Sequence, residues 1–103
     1  MNKTYHLGEG LISKMHWQGI KREDINAIIN IDPMRFESFI LKLGWKPAGF
    51  EVGYHIWQKV EDRSFNQITI PLDKRLDNYT EAMLYAVYDV YLFEDVTIEE
   101  LVA

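Results

Sequence analysis

Between Gly44 and Leu76 the chain reads GWKPAGFEVGYHIWQKVEDRSFNQITIPLDKRL, and apolar residues there recur with a period of two. That period marks a strand with one buried face; a helix would repeat its apolar positions at three and four. Phe50, Val52, Tyr54, Ile56 and Val60 share one face, with Gln58 the exception. Glu51, Gly53, His55, Lys59 and Glu61 share the other, with Trp57 as its lone large apolar member. The pattern assigns the first set to the core and turns His55 away from it. On this reading Ile56→Asp unfolds the domain and His55→Asp is tolerated. A second run follows the polar Glu61-Asp62-Arg63-Ser64: Ile68, Ile70 and Leu72 alternate with Gln67, Thr69 and Pro71. The two runs pair as an antiparallel hairpin closed by a loop of several residues. Trp45-Lys46-Pro47 can supply only an edge strand or an extended connection, because proline has no N–H for a central ladder.

Helices flank this sheet. Asp32-Pro33 is an aspartate cap with proline at the first helical position, followed by Phe36, Phe39, Ile40 and Leu43 on one face and closed by Gly44. Asn78, three residues before Glu81, opens a helix that runs to about Phe93. Met83, Ala86, Val87 and Val90 form its stripe for the sheet, while Leu84, Tyr85, Tyr88, Tyr91 and Leu92 make it apolar almost all round. Such a helix is buried on more than one side. Thr97-Ile98-Glu99-Glu100 repeats the capping pattern and brings Leu101 to the core. In the first third, residues 11–17 read as a short helix and the trio Ile25, Ile28, Ile29 has helical spacing up to Asn30. The fold class is α+β: a small three-stranded antiparallel sheet packed by helices, an α-β-β-β-α core over residues 32–103 with a helical extension over 1–31. The 103 residues form a single domain.

Composition excludes several functions. There is no cysteine, hence no disulfide, thiolate nucleophile or cysteine zinc site. His6, His16 and His55 lack metal-ligand spacing, Gly8-Glu9-Gly10 is too short to hold phosphate, and the serines lie outside any nucleophile motif, so neither metal nor cofactor is expected. The start of the chain lacks the apolar core of a signal peptide and no run is long enough to span a bilayer, which makes a cytoplasmic, membrane-free protein the expectation. Residues 34–75 carry seven basic against five acidic side chains, whereas the 28 residues after Arg75 hold seven acidic ones and no lysine or arginine. That tail repels a phosphate backbone.

The order helix, strand, hairpin, helix from Asp32 to Phe93, with LGW ending the first helix, GYHIW in the middle strand and ITIPLD in the next, resembles the HicA toxin family. Its members are similar in fold to double-stranded-RNA-binding domains and belong to toxin–antitoxin pairs. The resemblance aligns the family's Gly-Ser-His with Gly53, Tyr54 and His55 and its strand-ending proline with Pro71; it implies a ribonuclease in which His55 is catalytic. Tyr54 stands where the family has serine, Ile56 where a second histidine is often found, and residues 1–31 have no counterpart. Anchoring on His-Ile-Trp instead shifts the register by one and puts Tyr54 at the catalytic place.

Two functions follow. The first is a non-catalytic protein-interaction module, in one form a small acidic inhibitor or regulator that mimics nucleic-acid charge. Its binding residues are Trp57 and Lys59 on the sheet and Tyr85, Tyr88 and Tyr91 on the last long helix, since aromatic side chains are enriched at interfaces. The alternative is a HicA-like ribonuclease with His55 as general acid or base and Trp57 stacking a base, the only case in which RNA is the partner. The tyrosine flank is to be covered chiefly by Leu11, Met15, Trp17 and the Ile25-Ile28-Ile29 stripe. Self-association into a homodimer through the remaining tyrosines comes second.

Overall fold

Capping residues set the helix boundaries. In the computed structural model, which describes residues 20–62 and 64–102, α1 spans Arg22–Ile29 and α2 spans Pro33–Lys42. The Asp32 carboxylate accepts from the Met34 N–H at 3.2 Å, the N-terminal cap expected from Asp32-Pro33. At the other end Gly44 takes φ of 100°, and the Gly44 and Trp45 N–H groups donate back to Leu41 and Ile40 at 3.1 Å each. This is the Schellman arrangement, and it places Trp45 over Ile40, both fully buried. The predicted helix over residues 11–17 lies outside the described residues.

The sheet has the order β1-β2-β3, all antiparallel, with β1 at Lys46–Glu51, β2 at Tyr54–Glu61 and β3 at Ser64–Pro71. α3 (Tyr79–Phe93) packs on β3, α1 packs on α3, and α4 (Ile98–Val102) sits against α1, α2 and α3. The chain thus adopts the expected α+β architecture, with helices packed on a three-stranded antiparallel sheet. α4 is opened by a reciprocal cap: Glu100 Oε1 accepts from the Thr97 N–H at 3.0 Å, and Thr97 Oγ1 accepts from the Glu100 N–H at 3.2 Å. Leu101 is buried.

Two expectations about the sheet are corrected. The alternation from Phe50 to Val60 is not one strand. Gly53, at φ of 83°, turns the chain between Glu51 and Tyr54, and the second hairpin closes just as tightly, with Asp62 at φ of 42° after Glu61. The loop of several residues is therefore absent, and β3 starts at Ser64. A register shift between Pro47 and Gly49 then sets Phe50 opposite His55, on the same face.

The second correction concerns the faces of β2. Directly opposed residues of an antiparallel pair point the same way. Trp57 lies opposite Ile68 and His55 opposite Ile70, and Trp57, Ile68 and Ile70 are all buried. The core face is therefore the one carrying His55, Trp57 and Lys59. On the other face Val60, opposite Phe65, is 65% exposed and Phe65 60%. Ile56 is only half-buried and Val52, in the turn, is exposed. Trp57 and the two β3 isoleucines form one contiguous apolar patch, whereas the opposite face interrupts Ile56, Val60 and Phe65 with Gln58, Gln67 and Thr69, so burial follows Trp57.

Candidate functional site

Turning the His55 face inward brings His55, Trp57 and Lys59 of β2 under the helices, and each is met by a carboxylate. Glu37 projects from α2 onto the sheet, where one of its oxygens accepts from Trp57 Nε1 at 2.7 Å and pairs with His55 Nδ1 at 2.6 Å. An ionised carboxylate only accepts, so Nδ1 is the donor of this pair and Nε2 makes no hydrogen bond among the described residues. The His55 side chain is 37% exposed against 13% for Glu37, and the Phe50 ring stands edge-on to the imidazole at 5.4 Å. His55 is thus a partly covered, oriented histidine, and not the solvated strand residue expected from the alternation.

A second carboxylate repeats the arrangement at the other end of β2. Glu94, just past the end of α3, accepts from Trp45 Nε1 at 2.9 Å and from Lys59 Nζ at 2.7 Å. Lys59 also meets Glu61 at 3.0 Å. Burial draws the Lys59 ammonium toward a lower pKa, but the hydrogen bonds and charges of Glu94 and Glu61 outweigh it, and the net shift is upward. Trp57 and Lys59, expected as binding residues, are therefore occupied within the fold. Neither Glu37 nor Glu94 was legible as a site residue: Glu94 reads as part of a solvated acidic tail, and Glu37 as a polar position between Phe36 and Ile40.

The tyrosines divide. Tyr88 is buried and stacks on the half-buried Tyr91 at a centroid distance of 6.5 Å, and Tyr91 borders Ile20, Lys21 and Val96. The expected cover from the first third is present in α1, whose Ile25 and Ile28 are buried while Ile29 packs against the core. Leu11, Met15 and Trp17 lie outside the described residues. Tyr85 alone of the three faces outward, at 39% exposure, beside a groove of about 410 Å³ along β3. Tyr54 closes one end of that groove, its hydroxyl donating to Asn78 Oδ1 at 2.8 Å. Asn78 thereby serves β2, and its side chain makes no capping hydrogen bond to α3.

Among the described residues no group of three or more histidine or carboxylate side chains is placed to hold a metal ion, and no helix is long and apolar enough to cross a membrane. The fold and these sites define a small α+β domain of the α-β-β-β-α kind, preceded by α1. No protein-family model, no curated protein and no solved structure matches the chain.

Proposed function

We propose that this protein is a non-catalytic interaction module of the cytoplasm that binds another protein. The observation that carries the reading is the division of labour in the sheet. Its polar helix-facing side chains are consumed in pairing with Glu37 and Glu94, while Val60 and Phe65 stand exposed side by side on the opposite face, next to the outer edge of β3. Apolar side chains clustered on a surface cost solvation unless a partner covers them. The acidic C-terminal third favours a basic partner, in keeping with an inhibitor or regulator that presents carboxylates. Affinity capture with the wild-type chain and with a Val60→Ser/Phe65→Ser double variant tests this. Specific partners held by the first and lost by the second are expected; identical profiles would remove the reading.

A HicA-like ribonuclease is the second reading, favoured by one geometric fact. Glu37 holds Nδ1 while the ring keeps more than a third of its surface open, the arrangement a general acid or base requires. His55→Gln retains a donor for Glu37 and cannot shuttle protons. Growth arrest and RNA degradation by the wild-type chain, abolished in His55→Gln, would establish the enzyme; the interaction reading expects intact RNA with both.

A further inference from the structure

We infer that the groove between β3 and α3 receives an extended, basic segment of a partner protein, which joins the sheet as a fourth strand. This rests on the interaction reading and names its site and ligand class. A strand at the end of a sheet leaves alternate N–H and C=O groups unpaired, and an incoming chain can satisfy them. Residues 65–70 hydrogen-bond to β2 alone; among the described residues no other backbone or side-chain group donates to them or accepts from them. The two edges of this sheet are not equivalent. β1 carries Lys46, Pro47 and a register shift, three features that block strand addition, whereas β3 is regular from Ser64 until Pro71 at its end.

The wall facing β3 is built for a backbone. Ala82 and Ala86 of α3 line the groove, and their methyl groups take up little of it. Its charge selects the occupant: among the described residues Glu51 and Asp89 line it and no lysine, arginine or histidine does, and Tyr85 lines it too. A lysine or arginine of the incoming strand gains a carboxylate and an aromatic face together. Half-burial pushes the Asp89 carboxyl upward in pKa, a penalty that an adjacent cation relieves. A second copy of the chain is the poorer occupant, because two copies paired through β3 bring Glu51 and Asp89 of each together in molecules of net charge -5.

Isotope-labelled full chain titrated with a short peptide of alternating lysine and valine provides the test, read by amide chemical shifts. Saturable shifts confined to residues 65–70 and the facing side of α3 are expected. Binding should weaken about tenfold in Asp89→Asn, and again when alternate peptide nitrogens are methylated so that they cannot donate. A glutamate-valine peptide should leave the spectrum unchanged. Absence of binding, equal binding of the methylated peptide, or shifts located elsewhere would overturn the inference. Shifts in β3 on concentrating the chain alone would also overturn it, by assigning the edge to a second copy. If the peptide fails while Val60 and Phe65 still govern partner capture, the groove falls and the interaction reading stands.

Discussion

Glu37 and Glu94 each satisfy two donors that the fold has taken from water, so their removal should be felt well beyond their own size. Glu37→Ala leaves Trp57 Nε1 and His55 Nδ1 without an acceptor, and Glu94→Ala does the same to Trp45 Nε1 and Lys59 Nζ. Each substitution is expected to cost about 2–4 kcal/mol in urea unfolding, with Glu37→Gln milder because an acceptor survives. Lys59 adds a pH dependence. Its folded pKa lies above that of an unfolded lysine, about 10.4, so the stability it contributes is intact below that pH. It is lost as pH rises through the higher folded value; unfolding midpoints should fall at strongly alkaline pH, and less steeply in Lys59→Met. Asp89 runs the other way. Burial raises its pKa, so the ionised carboxylate weakens the fold at neutral pH and the penalty disappears as pH drops through the folded value. Asp89→Asn should therefore be more stable than wild type at pH 7 and lose that advantage in acid. If Asp89 also holds a basic strand, the same variant gains stability as it loses binding. Tyr79 is a simpler case. Its buried hydroxyl has no hydrogen-bond partner among the described residues, and Tyr79→Phe should be neutral or raise the melting temperature.

At the scale of elements, β2 decides what the sheet presents to the helices. Trp57→Ala is expected to cost about 3–5 kcal/mol, whereas Val60→Ser and Phe65→Ser should each stay within about 0.5 kcal/mol of wild type. Thermal unfolding of the three variants checks the assignment of faces directly, and a large loss at Val60 would reverse it. The helices were legible because their signals are local: Asp32-Pro33 and Gly44 bound α2, and Thr97 with Glu100 bounds α4 within a few residues. The faces of β2 were not. Both carry apolar side chains, and the partners that make His55, Trp57 and Lys59 tolerable inside lie 18, 20 and 35 residues away. A residue count along one strand holds no information about such partners. Gly53 was the one available hint, because a glycine within an alternating run can mark a turn as well as a strand position, and its φ of 83° selects the turn.

Across the whole molecule, α1 belongs to the core: Ile20, Ile25, Ile28 and Ile31 are buried, and α1 packs on both α3 and α4. Removing residues 1–31 should therefore unfold the chain or make it aggregate, as followed by circular dichroism and light scattering. A truncated chain that stays folded and monomeric would refute that packing. Within the intact chain, Ile28→Ala tests the same contact more gently, at about 2–5 kcal/mol. The amino-acid sequence by itself determined the α+β class, the positions of the helices and the antiparallel sheet, since caps, proline, glycine and apolar periods act over a few residues. It also determined that a helix as apolar as α3 needs cover on two sides, which β3 and α1 supply. Only the tertiary structure decided which face of β2 turned inward, and with it whether His55 met water or Glu37. It decided too that, among the described residues, β3 pairs with β2 alone. Those outcomes depend on the summed burial of Trp57, Ile68 and Ile70 and on carboxylates delivered from distant helices, energies that exist only once the elements are packed together.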